Sequence, residues 1–115
     1  MASNRMKIAV VPGDGIGSEV VHPTLEILEA VARKHDLGFS FDEKDWSCER
    51  FHKTGAMMPK EGLDDIGSHD AVLLGAVGYP GVPDHVSLWG LLIPIRRQFQ
   101  QYVSLRPVRL FEGMA

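Results

Sequence analysis

The pattern of apolar and polar positions predicts that strands and helices alternate along this chain. A β-branched run at residues 6–11 (MKIAVV) stops at a Pro-Gly pair, which indicates a first buried strand. Apolar residues then recur close to the helical period from Val20 to Ala32. Ser18 and Glu19 suit the start of that helix. The first third of the chain is therefore expected to form a strand, a glycine turn and a helix.

Pro23 lies inside this helical pattern, so we expect it to kink the helix or to move the helix start to that point. The helix is expected to stop around Gly38. Phe39 and Phe41 then alternate with polar residues, which predicts a second strand that ends near Asp45. One or two helical turns are expected over residues 60–66.

A second glycine turn follows the apolar run AVLL at residues 71–74. This run leads into Gly75 and Gly78. Such a pattern is typical of a buried strand that feeds a loop whose backbone a ligand can approach closely.

Three of the four arginines that come after this loop are candidates for binding an anion. An apolar segment at residues 88–95 delivers Arg96 and Arg97, and Arg106 lies in an alternating run further on. Guanidinium groups bind carboxylates or phosphates through paired hydrogen bonds, so arginines beside a glycine loop could form an anion pocket. From their spacing alone, solvated surface charges are the favoured interpretation.

The order strand, helix, strand, short helix, strand, helix, strand predicts an α/β fold with parallel pairing. We expect part of an open, largely parallel sheet with flanking helices. The last of these strands is predicted over about residues 102–110. We find no internal repeat and no linker in the sequence.

Composition narrows the possible function classes. The chain has 115 residues, 44% of them hydrophobic and 23% charged, which fits one globular domain. The formal net charge of -3 gives no general attraction to nucleic acid or anionic lipid. Cys48 is the single cysteine and cannot form an internal disulfide, and the N-terminal MASNRMKIAVV is not typical of a signal peptide. A cytoplasmic protein is expected.

Local motifs give little chemistry by themselves. The GDGIG turn at residues 13–17 lacks the third glycine of a dinucleotide fingerprint because Ser18 occupies that position, so a plain structural turn fits it well. Cys48 and His52 are too few to form a zinc site, and we interpret them as a buried thiol beside a surface histidine. The acidic residues are scattered, and no metal site is expected from this chain.

Several longer motifs together resemble one family, the β-decarboxylating dehydrogenases that include isopropylmalate and isocitrate dehydrogenases. They are GDGIG at residues 13–17, MMP at 57–59, GAVG at 75–78 and LRP at 105–107. Further motifs resemble the tartrate and D-malate dehydrogenase branch: VPDH at 82–85, SLWG at 87–90, and QY at 101–102 ahead of LRPVR at 105–109. The resemblance covers nearly the whole chain.

The resemblance implies an NAD-dependent enzyme that oxidises and decarboxylates a 2-hydroxy diacid, D-malate or tartrate. Arg96 and Arg106 match the arginines that hold the substrate carboxylates, whereas Arg97 and Arg109 match no assigned role. The residues that match the nicotinamide end of the cofactor site are Ile16, Gly75, Ala76, Val77 and Gly78.

Family members are much longer, and their catalytic lysine and tyrosine and their ligands for Mg²⁺ or Mn²⁺ lie beyond the matched positions. Residues 1–115 therefore resemble the N-terminal part of the cofactor domain, with the last strand leading toward a second domain. A homodimer is implied for the full-length enzyme. A non-catalytic anion-binding α/β module and one half of a split enzyme remain alternatives.

Overall fold

A three-stranded sheet of parallel strands organises the computed structural model, which describes residues 5–114. The strands are β1 (Arg5–Gly13), β2 (Gly38–Glu43) and β3 (Ala71–Ala76). The helices are α1 (Ile16–His35), α2 (Cys48–Thr54), α3 (Gly62–Gly67), α4 (Asp84–Ser87) and α5 (Ile93–Gln98), with a π-helical turn at Leu88–Leu92 between the last two. Residues 1–4, which begin the stretch judged unlike a signal peptide, lie outside the described residues.

The strand order is β2-β1-β3, so β1 is the central strand and pairs on both sides. Val10 lies opposite Glu43 on one side and Leu73 on the other. The expected α/β class with an open parallel sheet and flanking helices is confirmed. Within residues 5–114, no helix is both long enough and apolar enough to cross a membrane.

Successive side chains of β1 point to opposite faces of the sheet. Because both faces carry apolar side chains, both need cover from helices. Val10 is buried on the face where α1 places Val21. Ala9 and Val11 point the other way, into the main core. The other fully buried or nearly buried members of that core are Trp46, Cys48, Met57, Ile66, Val82, Leu91 and Ile95. Burial of each large apolar side chain contributes roughly 1.5–3 kcal/mol of transfer free energy.

The ends of α1 differ from the sequence-based expectation. The helix begins at Ile16, directly after Gly15, whose φ of 50° suits a residue without a side chain. The alternative in which Pro23 starts the helix is therefore wrong, and Pro23 lies within α1. The helix ends at His35 because Asp36 takes the left-handed conformation and its N–H binds the carbonyl of Ala32.

The strand predicted over about residues 102–110 is not formed, and that prediction is wrong for the described chain. The segment is irregular and exposed, with 94% of the surface of Tyr102 accessible. An alternating sequence forms a strand only where a neighbouring strand offers hydrogen bonds and an apolar face, and β1, β2 and β3 do not pair with it. That this segment leads toward a second domain stays a prediction.

Candidate cofactor and substrate site

The two glycine-containing turns meet at the C-terminal ends of β1 and β3. We call this side of the sheet its carboxyl edge. Parallel strands end on the same side, and Gly13 at the end of β1 pairs with Ala76 at the end of β3. The chain leaves β1 for β2 on one side and later returns to β3 on the other. Open α/β sheets bind ligands at such a reversal, beyond the carboxyl ends of the strands.

Backbone crowding explains several of the glycines at this edge. A Cβ atom on Gly13 would collide with the carbonyl oxygen of Ala76, and one on Gly75 with the carbonyl oxygen of Pro12. At Gly78, by contrast, a Cβ would meet nothing within 4 Å. The first two glycines let β1 and β3 approach each other, and the backbone at Gly78 is open to a ligand.

The predicted cofactor residues are brought to this same edge. Ile16 begins α1 with 60% of its surface exposed, and the next residue, Gly17, lies against the backbone of Ala76. Val77 is half-buried, and Gly78 is exposed. Residues from two turns that are separated in the chain by α1, β2, α2, α3 and β3 thus lie at one surface.

Asp14 holds this edge together, although sequence reasoning had placed it among the scattered acids. Its side chain is buried, with 7% of the residue surface exposed, and accepts three backbone hydrogen bonds. Oδ2 accepts from the N–H of Cys48 at 2.9 Å and of Gly78 at 3.3 Å, and Oδ1 accepts from the N–H of Glu49 at 3.2 Å. A charged acceptor with several backbone donors is a strong tie between segments.

In the described chain, the two arginines expected at the substrate do not line the same cavity. Arg96 lies on α5 and lines a cavity of about 100 Å³. The other residues around this cavity are Val72, Leu74, Leu92, Ile95 and Gln101. Arg106 does not line this cavity and belongs to the exposed segment. Residues 75–78, at the end of β3, do not line it either.

A larger cavity of about 210 Å³ lies between the ends of β1 and β2 and helix α2, and sequence analysis did not anticipate it. Its cationic side chains are already paired. Arg50 donates from Nη1 to both carboxylate oxygens of Asp45, at 3.1 and 3.2 Å, and Lys53 pairs with Glu49 at 2.7 Å. This pairing leaves little free positive charge for an anionic ligand.

A second charged cluster joins β2 to α3 and to the start of β3. The Lys44 ammonium lies 2.8 Å from Asp42 and 2.6 Å from Asp65, and His69 Nε2 lies 2.9 Å from Asp42. The hydrogen bond from Lys44, together with the contact from His69, lowers the pKa of Asp42, and the two carboxylates raise the pKa of Lys44. Asp42, Asp65 and His69 could hold a metal by distance, but the ammonium already occupies the cation position.

Cys48 and His52 both lie on α2. The Cys48 thiol is buried, and its pKa is raised to about 11, first by burial and then by the nearby Asp14 carboxylate. His52 is exposed and packs edge-on against Tyr79 with ring centres 5.4 Å apart. The interpretation of a buried thiol beside a surface histidine is confirmed.

Comparison with known proteins gives consistent matches. The family model described as isocitrate/isopropylmalate dehydrogenase matches residues 7–115. The chain is 47% identical over 99% of its length to a tartrate dehydrogenase/decarboxylase of Pseudomonas putida, and 49% identical over 95% to a decarboxylating D-malate dehydrogenase of Escherichia coli. It spans only 32% and 31% of the lengths of these two relatives.

A solved structure has the same fold. It is an apo β-decarboxylating dehydrogenase from Thermococcus kodakarensis, with a TM-score of 0.61 and 31% identity. The match covers 84% of this chain and 27% of that one.

Proposed function

Because the chain belongs to the isocitrate/isopropylmalate dehydrogenase family, we propose that it forms the N-terminal part of an NAD-dependent β-decarboxylating dehydrogenase. Membership confirms the resemblance that the sequence motifs indicated. The proposed substrate is a 2-hydroxy diacid, D-malate or tartrate. The observation that carries the proposal is the carboxyl edge of the sheet, where the open backbone at Gly78 and the exposed Ile16 form one surface.

For the cofactor, residues of this chain contribute mainly backbone and apolar surface. Ile16 offers an exposed apolar side chain, and Gly78 offers a backbone that ligand atoms can approach, whereas Gly75 is crowded by Pro12 and Val21. When bound there, NAD would supply the hydride acceptor for oxidation of the hydroxyl-bearing carbon of the acid. The protein's part at this edge is to hold the nicotinamide end in place and to limit the access of water.

For the substrate, we assign the two carboxylates to Arg96 and Arg106. Each guanidinium can form a paired, charge-assisted hydrogen bond to a carboxylate, worth roughly 1.5–3 kcal/mol. Arg96 lines a cavity beside Val72 and Leu74 of β3, whereas Arg106 belongs to the exposed segment. The proposal therefore requires that segment to fold over Arg96 in the whole enzyme.

Other parts of the proposal concern the whole protein. Mg²⁺ or Mn²⁺ would polarise the hydroxyl group, with ligands from outside residues 1–115. The Lys44 cluster does not fit this role, because an ammonium fills the position between its carboxylates. We further propose a homodimer and a cytoplasmic location, the latter favoured by the single cysteine.

The test uses the protein produced from its complete coding sequence. NADH formation is followed at 340 nm, a wavelength specific to the reduced cofactor, with D-malate, tartrate and isopropylmalate in turn, with and without Mn²⁺. Metal-dependent NADH formation with D-malate or tartrate is expected. Binding of these acids without any NADH formation would instead support the anion-binding module, and activity that requires a separately encoded chain would support the split enzyme.

A further inference from the structure

Asp14 connects the proposed cofactor loop to a helix far away in the sequence. Its carboxylate accepts from Gly78 in the loop after β3 and from the first two residues of α2, Cys48 and Glu49. Its backbone N–H donates to the carbonyl of Ala76 at 2.7 Å. We propose that Asp14 is a positioning residue that fixes the Gly78 backbone for NAD; this inference rests on the proposed function.

The carboxylate acts through the backbone and does not touch the cofactor. Asp14 is buried, and both of its carboxylate oxygens are used by N–H groups of the protein. At Gly78 the N–H points to Asp14, while the position of a Cβ would lie in open space. The inner side of this residue is therefore anchored and its outer side is free for a ligand.

Capping of α2 does not by itself explain the need for Asp14. Ser47 already caps this helix, since its Oγ accepts from the N–H of Arg50 at 3.1 Å. The bond from Gly78 to Asp14 adds nothing to the helix, but it fixes the loop at the strand end. A role in the helix alone would not account for the hydrogen bond from Gly78 to Asp14.

The variant Asp14→Asn tests the hydrogen bonding of the carboxylate while it keeps the size of the side chain. An amide has nearly the same shape as the carboxylate, but one of its two polar atoms is an N–H donor. Because both oxygens of Asp14 face backbone donors, the amide must place its NH₂ group against at least one of them. In one orientation the NH₂ group faces Gly78 and Cys48, and the bond from Gly78 is lost. In the other, the amide oxygen keeps these two partners and loses Glu49, but a neutral oxygen holds the Gly78 N–H less tightly than the carboxylate does. The bond from Gly78 is therefore weakened in both orientations.

The experiment uses the protein from its complete coding sequence, below the onset of unfolding of each variant. Amide exchange is measured by NMR at Gly78, with Gly17 as an internal reference because its N–H binds the backbone oxygen of Asp14. NAD affinity is measured by calorimetry, together with KM and kcat. Asp64→Asn is the matched control, since Asp64 is exposed and makes no side-chain hydrogen bond to the residues the structure describes.

We expect Asp14→Asn to speed exchange at Gly78 but not at Gly17, and to raise the Kd and KM for NAD about tenfold with kcat within about twofold. Asp64→Asn should match the wild type. Unchanged NAD affinity in Asp14→Asn, or a lower kcat with unchanged KM, would overturn the positioning role. A wild-type protein that does not bind NAD would overturn the proposed function itself, whatever the variants do.

Discussion

Cys48 shows how the environment of one residue sets a measurable property. Its pKa is raised to about 11 from an ordinary value of 9.0, by burial and then by Asp14. A thiol that holds its proton more tightly in the folded state contributes stability that is complete below pH 9 and is lost as the pH rises through 11. We predict that the free energy of unfolding, measured in urea, falls over this range.

In Cys48→Ala this part of the alkaline decline should disappear. The comparison concerns the slope against pH, because the smaller side chain also lowers stability at every pH. A decline of the same steepness in Cys48→Ala and in the wild type would show that Cys48 is not its source.

The two arginines proposed to bind the substrate give a second prediction at this scale. Arg106→Lys and Arg96→Lys should each raise the KM for the acid about tenfold, because a lysine ammonium cannot reproduce the paired hydrogen bonds of a guanidinium. Arg97→Lys is the matched control, since it makes the same change at the neighbouring position. Steady-state kinetics with varied acid would contradict the assignment if Arg97→Lys had the larger effect.

Single residues also show where prediction from sequence stops. The glycines of the two turns could be recognised as turn residues from the sequence. Close contact between backbones and close approach of a ligand both require a residue without a side chain. The role of Asp14 could not be recognised, because its partners lie 34 to 64 positions away and no local sequence pattern indicates them. The association of Asp42 with Asp65 was missed for the same reason, since only the packing of α3 beside β2 brings them together.

At the level of elements, the strands and α1 could be predicted because their apolar periods are regular. The region from Asp84 to Gln98 could not be predicted in detail. Pro94 lacks the N–H that an α-helix would use at that position, and the chain forms a π-helical turn in which Ile93 donates to Leu88. Turns of this kind occur often near functional sites, and this one directly precedes the segment that carries Arg96.

The charged cluster around Lys44 links elements and gives a prediction on acid stability. The depressed pKa of Asp42 means that its contribution to stability is present above its ordinary value of 3.8 and is lost as the pH falls through the folded pKa. Lys44→Met should therefore lessen the loss of unfolding free energy on acidification, by about 1 kcal/mol or less because Asp42 is half-exposed. Chemical denaturation at pH 7 and at pH 3 provides the comparison, and an equal loss in both proteins would contradict it.

At the scale of the whole molecule, the described chain leaves apolar surface uncovered. Val20 and Ile27 on α1 are 55% and 63% exposed, and β3 is an edge strand of the sheet. Parallel sheets are usually covered on both faces and paired at their edges. The relatives offer a source of cover, since the chain spans only about a third of their length.

We predict that residues 1–115 expressed alone associate with themselves and form no NADH. Association follows from the open β3 edge and the apolar stripe on α1. Inactivity follows because Arg106 does not line the cavity that Arg96 lines, and because the proposed metal ligands are other residues. Sedimentation at several concentrations, a melting transition followed at each, and an assay with D-malate or tartrate and Mn²⁺ would test this.

The variant Val20→Glu with Ile27→Glu should reduce association while the chain stays inactive. A sharp transition independent of concentration, together with turnover, would mean that these 115 residues are an enzyme in themselves.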